Sequence, residues 1–326
     1  MRLVILGCLL SAFSSSQPVD PAFLDGMRYR QIGPFRGGRS VACSGVPGRP
    51  KDFYMGTCGG GLWKSENEGE DWRCVTDGFL GVGTVGAIAV SPSHPDVVYI
   101  GTGERDIRGN ISHGDGVYKS SDAGKTWSHI GLRETQTVGK IVVHPKDPNT
   151  VWVAALGHIY GPNKERGVFK STDGGKTWAQ VLYESDKAGA VDICLDPKNP
   201  DTLYAATWEA WRTPYSLNSG GAGSKLWKST DGGKTWVNLS NSPGLPQEVL
   251  GKIGVSVSPV DANRVYAIIE AQNGGVFKSD DAGENWTLVN ESREFRQRAW
   301  YYTHILADPV EKDTVYVQNL STSKSK

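Results

Sequence analysis

The sequence has no excess of either charge and no long helical pattern. Its 35 Lys and Arg residues balance its 35 Asp and Glu residues, so the formal net charge is zero. A chain without a net field is not expected to bind nucleic acid phosphates or an anionic membrane surface unless its charges are strongly localised. We therefore predict no nucleic acid partner.

Motifs that carry metal or cofactor chemistry are also absent. The sequence contains no CxxC pair, no phosphate-binding loop and no Ser-His-Asp arrangement, and its 6 His residues are scattered. These absences argue against the common zinc and nucleotide sites. We predict neither a metal ion nor a cofactor.

Residues 1–16 are typical of a secretory signal peptide. Arg2 precedes an apolar run, and serines at 14–16 offer small residues for cleavage. The run is too short to cross a bilayer as a helix, so we predict no membrane span. We expect a secreted, periplasmic or cell-surface protein with a short linker at 17–27. Lipidation of Cys8 is an alternative for the leader.

Cysteine is scarce, with 5 residues in the chain. Beyond the leader these are Cys43, Cys58, Cys74 and Cys194, an even number for an oxidising compartment. A disulfide among the first three and free buried thiols both remain open at this stage, because strand register decides whether two Cβ atoms meet.

Glycine and tryptophan are abundant, and both recur in one repeated phrase. STDGGKTW occurs at 171–178 and again at 229–236, with looser copies at 65–72, 120–127 and 279–286. A period of about 50 residues indicates an array of equivalent units. Each unit contains short segments rich in β-branched and aromatic residues separated by turn residues, which predicts four strands per unit.

The phrase itself is predicted to be the turn between the third and fourth strands. An aspartate can accept hydrogen bonds from the turn amides, and a following glycine can adopt a positive φ. A tryptophan then has a large apolar ring to bury and an indole N–H to donate to the turn. The residues given this structural role are Asp122, Trp127, Asp173, Trp178, Asp231, Trp236, Asp281 and Trp286.

The phrase resembles the Asp-box, or bacterial neuraminidase repeat, of sialidases, xyloglucanases and the sortilin receptor domain. The resemblance covers residues 30–326. The chain is most similar to secreted bacterial sortilin-like proteins loosely described as glycosyl hydrolases, which begin with phrases like that at 32–39. The resemblance implies an all-β chain, a β-propeller of four-stranded antiparallel blades, over residues 28–326.

Five complete blades and a truncated sixth are expected. Lys324–Lys326 aligns with the start of the repeated phrase, so we expect the chain to stop inside a sixth copy. Arg28–Ile32 could supply the missing strand, and a ring closed in this way is expected to be monomeric. An open ring would leave unpaired sheet edges, which promote aggregation.

Candidate ligand-binding residues are sought in the loops between second and third strands, which lie opposite the repeated turns in propellers. Planar aromatic side chains beside arginines suit a sugar or a peptide. An alternative is that these charges pair with one another on a solvated rim. The candidates are Arg36, Arg39, Arg105, Arg108, His113, Tyr160, Trp208, Trp211, Arg212 and Tyr215.

Two functions remain open. The first is a secreted binding module for an extracellular protein, peptide or glycan, without chemistry of its own. The second is a glycoside hydrolase, xyloglucanase-like or sialidase-like, or a fragment of one, acting on a polysaccharide. Hydrolysis needs two facing carboxyl groups, and the candidates are Glu104, Asp106, Asp115 and Glu209. Sequence gives no distance between them.

Overall fold

The computed structural model describes residues 20–24, 26 and 38–325. The predicted signal peptide, Cys8, the Arg28–Ile32 segment and Arg36 lie outside the described residues, as does part of the predicted 17–27 linker. The chain forms two compact units, Met1–Arg36 and Gly37–Lys326. In the first unit the structure describes one 3-10 helix, η1, at Pro21–Leu24.

The second unit contains six antiparallel sheets arranged as a β-propeller, which we call blades 1 to 6 in chain order. In each blade the strands pair in the order in which the chain forms them. Blade 1 contains β1 (Ser40–Val46), β2 (Arg49–Thr57), β3 (Leu62–Ser65) and β4 (Arg73–Cys74). Blade 2 contains β5 (Val85–Val90), β6 (Val98–Thr102), β7 (Val117–Ser120) and β8 (Ser128–His129). Blade 3 contains β9 (Val138–Val143), β10 (Val151–Ala155), β11 (Gly167–Ser171) and β12 (Ala179–Leu182).

Blades 4 to 6 continue this pattern with two variations. Blade 4 contains β13 (Ala188–Leu195), β14 (Leu203–Arg212), β16 (Lys225–Ser229) and β17 (Val237–Asn238), and β15 (Leu217–Ser219) adds a hairpin to β14. Blade 5 contains β18 (Ile253–Val257), β19 (Val265–Ile269), β20 (Gly275–Ser279) and β21 (Thr287–Asn290). Blade 6 has three strands, β22 (His304–Ala307), β23 (Val315–Gln318) and β24 (Thr322–Lys324).

The predicted all-β propeller, with five four-stranded blades and an incomplete sixth, is therefore confirmed. Helical structure within 38–325 is limited to single 3-10 turns, η2 (Arg133–Thr135) and η3 (Arg293–Arg296). Among the described residues, no helix has the length and apolar character needed to cross a bilayer.

The second strands of blades 2, 3 and 5 are buried on both faces, which explains their largely apolar sequences. All five residues of β10 are buried. Val151 and Val153 pack in a core cluster with blade 2, whereas Trp152 and Ala154 pack in one with blade 4. Side chains alternate across a strand, so each blade contributes to the core on both of its sides.

Glycine recurs as the second residue of the first strands, and close packing between blades requires it. A Cβ atom on Gly139 would lie 2.5 Å from the carbonyl oxygen of Val191 in the next blade. A Cβ atom on Gly254 would lie 3.0 Å from the carbonyl oxygen of Thr303. A larger residue would push neighbouring blades apart.

The repeated turns join third strands to fourth strands. In the 171–178 copy, Asp173 Oδ1 accepts the Thr177 N–H at 3.0 Å, and Oδ2 accepts the Thr177 hydroxyl at 2.6 Å. These bonds hold the pKa of Asp173 well below its usual range. Gly175, at φ 92°, donates its N–H to the Ser171 hydroxyl at 2.8 Å. The aspartates that accept the equivalent backbone N–H are Asp122, Asp231 and Asp281.

The tryptophans that end these turns have two kinds of hydrogen-bond partner. Three indole N–H groups donate to a glycine carbonyl of their own turn, those of Trp72, Trp236 and Trp286. Trp127 instead donates to the Val75 carbonyl at 2.9 Å, and Trp178 to the Ile130 carbonyl at 2.7 Å, both in the preceding blade. The prediction that every indole binds its own turn is wrong for these two, because carbonyl groups beyond an outer edge strand lack a partner in their own sheet.

The four described cysteines, at 43, 58, 74 and 194, are free thiols. Of the two sequence-based alternatives, the structure therefore shows no disulfide among the described residues. Burial raises the pKa of the Cys58 thiol to about 12. A thiol with so high a pKa is a poor nucleophile.

Candidate functional site

Loops that follow second strands leave each blade at the edge opposite the repeated turns, because neighbouring strands run antiparallel. The segments that enter first strands reach the same edge. We call this edge the rim. Its main loops follow β6, β10, β14 and β19 and span residues 103–116, 156–166, 213–224 and 270–274.

A cleft of about 850 Å³ opens on the rim, and we call it the rim cleft. Blade 2 contributes residues 107–109, and blade 4 contributes Arg212 with Leu217 and Ser219 from the β14–β15 hairpin. Glu270 follows β19, and Arg298 and residues 300–302 precede β22. Residues nearly two hundred positions apart therefore meet in one space, which is within the usual size range of small-molecule sites, about 300–1,000 Å³.

Three arginines line the rim cleft: Arg108, Arg212 and Arg298. Among the described residues, none of their guanidinium groups has a carboxylate oxygen within 4.0 Å or donates a hydrogen bond to protein. The Arg108 guanidinium lies over the Tyr301 ring, 5.7 Å from its centroid. The arginines are therefore free to bind a ligand group.

The aromatic wall of the cleft is formed by a backbone segment with two unusual conformations. Arg298 has φ 48° and Thr303 has φ 79°, on either side of Trp300, Tyr301 and Tyr302. Left-handed backbone is uncommon for residues other than glycine, and for a β-branched residue it is a real outlier. The Thr303 hydroxyl donates to the Ala299 carbonyl at 2.8 Å and stabilises this bend. Such strain concentrates at ligand-binding sites.

Glu270 is the carboxylate that lines the rim cleft within the described part of the chain. Its Oε2 atom accepts the Ser219 hydroxyl at 2.6 Å and the Lys252 backbone N–H at 2.8 Å. The sequence-based candidates did not include Glu270. Its position directly after the apolar strand β19, equivalent to that of the rim loops in other blades, was a signal that could have identified it.

Beside the cleft lies a second space of about 570 Å³, which we call the channel because first strands of several blades line it. Tyr301 and Tyr302 border both spaces. Lys140 Nζ lies 2.6 Å from Asp192 Oδ1, and Arg105 donates to the Gly139 carbonyl at 2.6 Å. Sequence reasoning also missed Lys140 and Asp192 as site residues, although each is a charged residue inside an otherwise apolar first strand.

Asp106 is the centre of a buried ion cluster in the channel. Its Oδ1 atom lies 3.4 Å from Lys252 Nζ and 3.8 Å from His304 Nε2. Burial lowers the pKa of Lys252, and burial together with the nearby cations Arg105, Lys252 and Lys140 lowers the pKa of His304. The channel therefore has a positive potential around His304.

Comparison with known proteins supports the β-propeller fold. The Sortilin-Vps10 family model, described as sortilin, neurotensin receptor 3, matches residues 60–188. A probable oligoxyloglucan-reducing end-specific xyloglucanase of Neosartorya fischeri is 25% identical over 256 residues, which are 73% of this chain and 28% of the relative. Xyloglucanase Xgh74A of Acetivibrio thermocellus is 24% identical over 227 residues, 60% of this chain and 25% of the relative.

The crystal structure of the GH74 enzyme of Niastella koreensis has the same fold, with a TM-score of 0.61 and 21% identity. The match covers 85% of this chain and 43% of that chain. This chain is a β-propeller that is similar in sequence to sortilin-like proteins and to xyloglucanases. It spans about a quarter of the length of the curated relatives that it matches.

Two of the predicted catalytic carboxylates are buried in this propeller, and each has an arginine as its partner. Glu104 is fully buried and accepts a charged hydrogen bond from Arg39. Asp115 is buried, accepts the Tyr118 hydroxyl at 2.7 Å and lies 3.2 Å from Arg133 Nη1. Arg39, predicted to bind a ligand, is thus occupied by Glu104.

The remaining carboxylate candidates lie outside the rim cleft. Glu209 is on β14, is half-buried and accepts the Gly223 N–H at 3.0 Å. Asp106 belongs to the channel cluster. The structure therefore does not bring the four sequence-based candidates together around one accessible space.

The predicted ligand-binding residues of the propeller fall into three groups. Arg108 and Arg212 line the rim cleft, and Arg105 lines the channel. Trp208 is fully buried beneath Lys252 and is not accessible to a ligand. Those that are exposed but do not line the cleft are His113, Tyr160 and Tyr215 on rim loops and Trp211 near the end of β14.

Proposed function

We propose that this propeller acts on an extracellular polysaccharide and holds a sugar chain in the rim cleft. The observation that carries the proposal is the combination, in one open cleft, of the Trp300–Tyr302 aromatic wall with the three free arginines. Aromatic rings stack on the apolar faces of sugars, while guanidinium and carboxylate groups bind hydroxyl groups. The sequence predicts secretion, which agrees with an extracellular substrate.

The relatives support a glycosyl hydrolase-related function better than a binding module without chemistry. Both curated relatives reported above are named xyloglucanases. We therefore propose that the chain belongs to a protein that cleaves or processes a polysaccharide. Because it spans about a quarter of those relatives, hydrolysis by the whole protein remains part of this proposal.

Within the cleft, we assign the acid–base candidate role to Glu270. Glycoside hydrolysis usually requires two carboxyl groups, about 5–10 Å apart, one of which is protonated. Glu270 supplies one carboxyl group at the cleft surface, and its two donors fix its orientation. Glu104 and Asp115 are not used, since each is buried with an arginine partner.

The proposal is tested with a panel of neutral and acidic plant and microbial polysaccharides. Retardation in affinity gels measures binding, and reducing-sugar release measures hydrolysis. We expect Trp300→Ala to weaken binding about tenfold, since stacking on an aromatic ring contributes about 1 kcal/mol. We expect Glu270→Gln to retain binding and to lose sugar release.

Tyr183→Ala serves as the aromatic control, because this exposed ring follows β12 and does not line the rim cleft. It should bind and cleave as the unaltered protein does. Melting temperatures identify variants that fail to fold. A protein that neither binds nor cleaves any polysaccharide of the panel contradicts the proposed function.

A further inference from the structure

We propose that the polysaccharide bound in the rim cleft is acidic, with carboxylate groups of uronic acid residues bound by Arg108, Arg212 and Arg298. This inference rests on the proposed function and specifies its substrate class. None of the comparisons assigns an acidic ligand to this cleft. The inference depends on the charges of the cleft, which the names of the relatives do not describe.

The three arginines of the rim cleft contrast with several other basic side chains near the rim, which have acidic partners. Arg39 has Glu104, and Arg133 has Asp115 at 3.2 Å. Lys225 similarly lies 2.5 Å from Glu184. The arginines of the cleft lack such partners among the described residues. Because like charges that line one space repel one another, a bound anion stabilises them.

Glu270 offsets only one of these positive charges and pairs directly with none of the arginines. Its Oε2 atom accepts hydrogen bonds from Ser219 and from the Lys252 backbone. None of the three arginines lies within 4.0 Å of its carboxylate in the described structure. Among the described residues, the cleft therefore keeps an excess of positive charge that an anionic ligand would complement.

The neighbouring channel adds to the positive field. The two spaces share Tyr301 and Tyr302, and together they are lined by five basic residues but only two acidic ones, Asp106 and Glu270. The five are Arg105, Arg108, Lys140, Arg212 and Arg298. Because the chain as a whole has no net charge, this excess is a local feature. Such a concave cationic surface attracts anionic substrates and raises their association rate.

A carboxylated sugar chain can bind both the arginines and the aromatic wall of the cleft. Guanidinium groups form paired hydrogen bonds with carboxylates, which are stronger than bonds to neutral hydroxyl groups. The rings of Trp300 and Tyr302 can stack on the sugar rings between the carboxylates. A neutral polysaccharide would offer the arginines only hydroxyl groups, which form weaker hydrogen bonds than carboxylates do. An acidic peptide would use the arginines but would lack sugar rings to stack on this wall.

The inference is tested with polygalacturonate and with its fully methyl-esterified form, which has the same sugar backbone without the charges. Dissociation constants are measured by titration calorimetry on the full chain. We expect the free acid to bind at least about tenfold more tightly than the ester, and Arg212→Gln to remove most of that difference, because a hydrogen bond to a charged group contributes about 1.5–3 kcal/mol. Arg108→Gln and Arg298→Gln should each reduce it.

The matched control is Lys176→Gln, an exposed basic residue in a repeated turn on the opposite edge. It should leave both affinities unchanged, whereas an equal loss in this control would show non-specific charge attraction and contradict the inference. Equal binding of acid and ester, binding of neutral xyloglucan alone, or tighter binding of polyglutamate would also contradict it. If the protein binds the ester or xyloglucan, the proposed polysaccharide function still holds. If it binds no polysaccharide, both proposals are wrong.

Discussion

Tryptophans at the ends of the repeated turns carry out two different structural tasks. Trp72, Trp236 and Trp286 close their own turns, whereas Trp127 and Trp178 connect neighbouring blades. The same sequence motif therefore contributes to stability in two ways. The phrase alone could not distinguish them, because the deciding partner is a carbonyl group about 50 residues earlier in the chain.

We expect Trp127→Ala to lower the free energy of unfolding by about 3–5 kcal/mol, the range for truncation of a buried aromatic residue. Trp127 is 6% exposed, and its loss also leaves the Val75 carbonyl without its donor. Urea unfolding followed by fluorescence measures the change. Trp72→Ala is the control and should cost less, because Trp72 is half-buried and binds only its own turn. Equal costs would contradict the inter-blade role.

Two neighbouring tryptophans that were both predicted to bind a ligand differ in their exposure to solvent, and the sequence could not show which one is exposed. Trp208 and Trp211 lie three positions apart on β14, yet Trp208 is 0% exposed and Trp211 is 52% exposed. Because side chains alternate between the two faces of a strand, these two tryptophans lie on opposite faces of β14. Only packing of the adjacent blade, absent from local sequence, decides which face is covered.

At the level of elements, strands were far more predictable than the rim loops. The second strands of blades 2, 3 and 5 follow the apolar segments closely, because burial on both faces makes each of them a largely apolar run. The loops carry no periodicity. Sequence placed Arg108 and Arg212 on loops of the same rim, but their meeting in one cleft depends on the rotation between blades 2 and 4. Glu270, which belongs to a short loop, was overlooked.

The ion cluster in the channel connects the loop after β6 with blade 5. Lys252 Nζ is 3.4 Å from Asp106 Oδ1, donates to the Tyr302 carbonyl at 2.8 Å and lies over the Trp208 ring. Both charged groups are buried. A buried charge that loses its partner is strongly unfavourable, so this contact holds the cleft's blade 2 wall against blade 5.

We expect Asp106→Asn to lower the free energy of unfolding by about 3–5 kcal/mol, because it leaves the Lys252 ammonium group buried without a counter-charge. Urea denaturation at neutral pH provides the measurement. The double variant Asp106→Asn with Lys252→Met should recover most of the loss, since the apolar side chain needs no partner. A double variant no more stable than Asp106→Asn alone would show that charge burial is not the cause.

Considered as a whole molecule, the chain places scaffold and candidate site on opposite edges of its blades. The repeated turns, where the strongest sequence signal lies, contain Asp and Thr side chains that bind one another. The rim, where the sequence is least regular, contains the free arginines and the aromatic wall. The zero net charge conceals a local excess of basic side chains, because five basic and two acidic residues line the rim cleft and the channel.

The central claim is that the rim cleft, and not the edge with the repeated turns, binds the polysaccharide. Hydrogen–deuterium exchange with the tightest-binding oligosaccharide of the panel tests it most directly. We predict slower exchange in peptides covering 103–113, 209–219 and 298–303, and no change in those covering 171–178 and 229–236. Protection of the repeated turns, or an unchanged rim under saturating ligand, would contradict the account.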